Sequence, residues 1–150
     1  LHELAGIYRP TGGKCPSRGP NRRFHAAQED DFRRSPQGRL LSVLILIAGP
    51  YRSGTGDDPD KMAANLRRLE EVSWPLFQAG HVPMIGEWVA LPIWRVAGGT
   101  RVGDARYDEI LHPTAGRLIE LCHAVLRLEG ESKGADNDVR LARERGIPVY

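Results

Sequence analysis

Little in this sequence points to metal, disulfide or membrane chemistry. It has two cysteines in 150 residues, Cys15 and Cys122, and they form no CxxC pair. Neither a disulfide framework nor a zinc site is expected. Cys122 falls on an apolar helix end, where a thiol packs as a small hydrophobe. Charge of one sign is also scarce, with 21 basic against 19 acidic residues and a net of +2. That balance argues against a nucleic-acid partner. Part of the excess lies in Arg22, Arg23, Arg33, Arg34 and Arg39, within the first forty residues. No apolar run reaches the roughly 18–20 residues that span a bilayer, so no membrane partner is expected. The N-terminus lacks the order of a signal peptide, which points to a cytoplasmic location.

The first 38 residues also lack apolar periodicity. They are rich in Gly, Pro and Arg and cannot bury enough apolar surface to offset their ordering entropy. Residues 1–38 are expected to be a disordered leader, or translated sequence upstream of the true start. Residues 39–150 are expected to form the folded domain. Apolar residues make up 41% of the chain and charged residues 27%, ordinary values for a globular protein.

What is present is an alternation of strands and helices. The run LLSVLILIA at 40–48 is continuous, apolar and β-branched, as in a strand buried on both faces of a parallel sheet. A loop, GPYRSGTG, follows at 49–56. Asp57, Asp58 and Asp60 then offer N-caps for a helix over 59–79, with Gly80 as its C-terminal stop. Met62, Leu66, Leu69, Val72, Trp74 and Leu76 give that helix an apolar stripe, and Pro75 is placed to kink it. Residues 81–85 read as a second strand. Residues 89–94 read as a single helical turn and 98–103 as a flexible loop. A second helix is expected over 104–121, with His112-Pro113 a point where it could break. Residues 123–128 read as a third strand, 134–145 as a helix stopped by Gly146, and 147–150 as the start of a last strand. The expected fold class is α/β: a small doubly wound, flavodoxin- or Rossmann-like parallel sheet of four to five strands with helices on both faces.

In such sheets ligands bind outside the carboxyl ends of the strands. Three segments therefore hold the candidate site. In the first loop, Gly49 and Gly54 allow close backbone approach. Arg52, beside Tyr51 and Ser53, can neutralise a phosphate or carboxylate. The loop fits neither standard nucleotide-binding glycine motif, and a plain connection explains it equally well. In the third, Ser132 is an N-cap and Gly134 admits a close approach. Asp136 and Asp138 sit near a helix start, where carboxylates also serve the dipole. A carboxylate aimed into the cleft could instead attack an anomeric carbon. In the middle segment, Glu87 follows a strand end and suits acid–base work or a sugar hydroxyl. Trp88 suits either base stacking or an interior position. Asp108 and His112 share a helix face and read best as a surface pair. No third ligand completes a metal site, so none is expected.

Taken together, the strand-GPYRSG opening, the segment GHVPMIGEW and the stretch CHAVLRLEGESKGADNDVRLARERGIPVY resemble the nucleoside 2-deoxyribosyltransferase-like superfamily. Within it they look most like the small bacterial and phage DUF4406 branch. The resemblance spans roughly residues 41–150. It implies a carboxylate nucleophile at Asp138, where relatives carry glutamate, with Asp136 as fallback. It also implies sugar or phosphate contacts from the first loop, with Arg52 and Ser53 suited to a 5′-phosphate. The implied partner is a small nucleoside or nucleotide, cleaved by hydrolysis or base transfer without metal or organic cofactor. Relatives often dimerise, so a homo-oligomer is implied. The acidic helper that relatives carry on the helix before the third strand has no match; Ala115 lies near its place. Three functions are thus open: an N-glycosidic-bond enzyme, a non-catalytic nucleotide sensor, or a phosphate-handling enzyme built on GPYRSGTG.

Overall fold

A computed structural model describes residues 42–150. The leader expected over residues 1–38 lies outside the described residues, as does Cys15. Three strands and four helices make up the described chain, two of the helices following one another without a strand between them. They are β1 (Leu44–Ala48), α1 (Pro59–Gln78), β2 (Val82–Ile85), α2 (Gly86–Val96), α3 (Ala105–Leu121), β3 (Ala124–Arg127) and α4 (Lys133–Glu144).

The sheet is parallel throughout, in the order β2-β1-β3. The strand read from the apolar run is its centre. Leu44 to Ile47 of β1 register with Val82 to Ile85 of β2, so that Ile45 sits opposite Pro83. On the other side Ile45 to Ala48 register with Ala124 to Arg127 of β3. Alternation along β1 divides the core into two layers. Ile45 and Ile47 pack with Leu69 and Leu76 of α1. Leu46 and Ala48 pack with Ile119 of α3 and with Ala135 and Ala142 of α4. Helices thus cover both faces, as the run of apolar residues requires.

The expected four to five strands are not formed among the described residues. Beyond β3 there is one isolated parallel bridge, Val125 to Val149. It is held by Val125 N–H to Pro148 O (2.9 Å) and Tyr150 N–H to Val125 O (2.9 Å). Arg127 N–H continues the ladder to Tyr150 O (2.8 Å), while Pro148 has no N–H with which to extend it toward Ile147.

Local capping explains the helix limits. Asp58 caps α1, accepting from the N–H groups of Asp60 (2.9 Å) and Lys61 (3.3 Å). Gly80 follows its end at φ 87°, a conformation that favours glycine. Ser132 caps α4 through the Ala135 N–H (3.3 Å). Three expectations fail. Residues 86–96 form a helix of three turns, not one turn within 89–94. In addition, Pro113 does not break α3. Pro92 and Pro113 are both exposed, so the hydrogen bond each removes is lost on a wet side of its helix. Trp74, read as part of the inward stripe, is 61% exposed and stacks on Phe77 instead. No described helix is long and apolar enough to cross a membrane.

Candidate functional site

The carboxyl ends of the strands open into a cavity of about 190 Å³. Parallel strands with helical crossovers bring the three expected segments to this one edge. The first and third segments touch directly. Leu128 N–H donates to Ala48 O (2.8 Å), and a Cβ on Gly130 would stand 2.7 Å from Pro50 Cγ. Gly49 is as tightly enclosed, since a Cβ there would stand 2.7 Å from Leu69 Cδ2.

Tyr51, Arg52 and Ser53 form the first wall. Asn65 of α1 fixes their backbone, donating to Tyr51 O (2.9 Å) and Ser53 O (3.5 Å). Arg52 does not reach out freely. Its Nε and Nη2 donate to the two oxygens of Asp57 at 2.7 and 3.1 Å. Asp57 adopts φ 64° to present that carboxylate. Gly103 lies against the guanidinium, where a Cβ would come within 2.1 Å of Cζ. The positive end of α1 is likewise covered by the Asp58 carboxylate. Both anion-attracting features of GPYRSGTG are therefore neutralised within the chain. Gly54 is exposed and does not line the cavity.

Glu87 enters from the first turn of α2, and Asp138 from α4 on the opposite side. Burial pushes the Glu87 carboxyl up to about 7; a hydrogen bond from its own backbone opposes this, and the charge of Asp138 adds to it. Burial also raises Asp138, to about 6, against the opposing fields of His112 and Arg127. The charge of Asp138 thus reaches Glu87 across the cavity. Ser132 and Gly134 line it beside Asp138. Asp136, one turn-face away, is exposed and pairs with Arg127 at 2.8 Å, outside the cavity. Arg127 is held in turn by the carbonyls of Leu128 and Gly130.

Sequence reasoning missed the fourth wall. Tyr107, Leu111 and Ala115 of α3 line the cavity, and so do Asp108 and His112, which had been read as a surface pair. Spacings of four along α3 place these residues on one face, and that was the available signal. Tyr107 is buried, and its hydroxyl is raised by desolvation and by the nearby Glu87. Tyr51 is raised by the same two causes. Trp88 is not part of the site. It is 40% exposed and donates its indole N–H to Glu70 at 3.1 Å. Among the described residues no group of three His, Cys, Asp or Glu side chains could hold a metal ion.

No family model, no curated protein and no solved structure matches this chain. The chemistry must be argued from the cavity. It presents two raised carboxyls on facing walls, two tyrosines beside one of them, and an imidazole beside the other.

Proposed function

We propose that this cavity cleaves or exchanges the N-glycosidic bond of a deoxynucleoside or its 5′-monophosphate, with Asp138 as nucleophile and Glu87 as acid. The observation that carries the reading is the pairing of Glu87 and Asp138 across one water-accessible cavity. Environments that raise both carboxyls to near neutrality suit one for attack and the other for proton donation.

In the proposed reaction an Asp138 oxygen attacks the anomeric carbon, and the bond from that carbon to the base nitrogen breaks. Glu87 gives its proton to the departing base. A glycosyl ester on Asp138 remains. Water, deprotonated by Glu87, then attacks the anomeric carbon and frees Asp138; a second base in place of water gives transfer. Tyr51 and Ser53 of the first wall and Ser132 and Gly134 of the third would hold the sugar and any phosphate. Aspartate is one methylene shorter than the glutamate of the resembling family. Asp138 must therefore be met by a substrate seated deep in the cavity.

Incubation with deoxynucleosides and with deoxynucleoside monophosphates, followed by chromatography for free base, tests this. Wild-type protein should release base. Asp138→Ala should lower the rate by roughly a thousandfold or more, as loss of a nucleophile does. Equal release by both proteins, or none by either, defeats the enzymatic reading.

A second reading is supported by Ala115. It stands in the cavity wall near where the resembling family carries an acidic helper. A cavity without that acid fits a nucleotide sensor. Tight binding of a monophosphate without base release would establish it.

A further inference from the structure

A second groove lies on the far side of Tyr51, between the first half of α1 and the α2–α3 junction, with a volume of about 440 Å³. Its floor is apolar: Met62, Leu66, Leu91, Trp94 and Val102. Met62, Leu91 and Trp94 are buried. The charges at its rim are unevenly satisfied. The carboxylate of Asp57 is taken by Arg52 through both oxygens. Just behind the rim, Asp104 accepts from the N–H groups of Thr100 (3.0 Å), Arg101 (3.3 Å) and Tyr107 (2.7 Å), and from the indole of Trp94 (3.0 Å). Arg95 and Arg101, by contrast, form no ion pair or side-chain hydrogen bond among the described residues, and both are exposed at the groove.

We infer that this groove binds a planar aromatic compound carrying an anionic group, its ring on the Trp94–Leu91 floor and its charge between Arg95 and Arg101. A groove of this size accommodates one or two fused rings. Arg52 already neutralises Asp57, so Arg95 and Arg101 together outweigh the one remaining carboxylate, Asp104, and leave the mouth net positive. Two free guanidinium forks suit a sulfonate, carboxylate or phosphate. Tyr51 is common to both cavities. An occupant would therefore press on the wall of the first site without entering it. The assignment does not depend on the glycosidic chemistry proposed above.

The probes are 8-anilinonaphthalene-1-sulfonate and its uncharged relative N-phenyl-1-naphthylamine, titrated by fluorescence into the 150-residue chain. Saturable binding of the sulfonate at one site is expected. Arg95→Gln with Arg101→Gln should weaken the sulfonate by roughly tenfold and leave the neutral amine unchanged. Ala63 is exposed on α1 at the groove. Ala63→Trp should therefore fill the groove without disturbing the core and abolish binding of both probes. Asp138→Asn should bind both as wild type does, which separates this site from the first. The inference is overturned if the sulfonate does not saturate. It is equally overturned if the double arginine variant keeps full affinity, if Ala63→Trp binds as before, or if Asp138→Asn loses the probes.

Discussion

At the scale of single residues, Glu87 and Asp138 set the pH behaviour. With Asp138 at about 6 and Glu87 at about 7, the state with Asp138 ionised and Glu87 protonated is most populated between those values. The rate of base release, as kcat/KM, should trace a bell with its top between about pH 6 and 7, and the two limbs belong to the pair jointly. A flat profile from pH 5 to 8 would remove Glu87 from the acid role. The same burial has a cost in stability. Below the ordinary glutamate value of 4.5 the group is neutral whether the chain is folded or not. Between that value and about 7 the unfolded chain ionises freely while the folded chain keeps its proton, so this group's contribution to stability falls across this window and is fully lost above about 7. Glu87→Gln should therefore stabilise the fold at pH 8 by on the order of 1 kcal/mol after screening in the wet cavity, read as a higher melting temperature. At pH 4 it should change nothing. Cys122, read from sequence as a buried thiol, is 7% exposed, and burial raises it to about 11. Such a thiol is unreactive.

At the scale of elements, what was legible in the sequence was what is decided locally. Asp58, Gly80, Ser132 and Gly146 mark helix ends because capping involves neighbours two or three residues away. The apolar run announced β1 because both its faces are covered. What was not legible depended on partners distant in sequence. Trp74 and Trp88 were misplaced because a helix face becomes inward only once its neighbour is known. The pairing of Arg52 with Asp57 needed a left-handed backbone at Asp57, which residue type alone does not announce. The α2–α3 junction, read as flexible, is instead gathered onto the carboxylate of Asp104. Those hydrogen bonds, led by the Thr100 N–H, hold Asp104 down at about 2. Its contribution to stability is thus present above the ordinary aspartate value of 3.8 and is lost as pH falls through about 2. At pH 7, Asp104→Ala should lower the melting temperature and speed amide exchange at Thr100, Arg101 and Tyr107. Near pH 2 the variant and wild type should converge. Unchanged exchange at pH 7 would show that the junction is held by something else.

At the scale of the whole molecule, the parallel sheet and its helices decide that residues as far apart in sequence as Tyr51, Glu87, Tyr107 and Asp138 share one cavity. The α/β alternation foretold which edge of the sheet would carry it. The α3 wall escaped notice because its residues were weighed as a pair, not as a helix face. Gly49 shows how closely edge and core are joined. Gly49→Ala would set a methyl 2.7 Å from Leu69 Cδ2 and 3.2 Å from Leu128 Cβ. Such overpacking should cost about 1–3 kcal/mol in denaturant melts and loosen the cavity floor at once. A midpoint equal to wild type would show that Leu69 can give way.

Pro83 bears on how the sheet meets its surroundings. Val82 N–H donates inward to Val43 O at 2.8 Å, so in a regular strand the next residue aims its amide outward. At that outward position β2 has an imino acid with no hydrogen to offer. A stray strand arriving beside the half-exposed Val82 would find a gap where it needs a donor. The flank is chemically blunted against edge-to-edge aggregation. Any lengthening of the sheet is therefore steered to the opposite side, where Val149 has already taken its place.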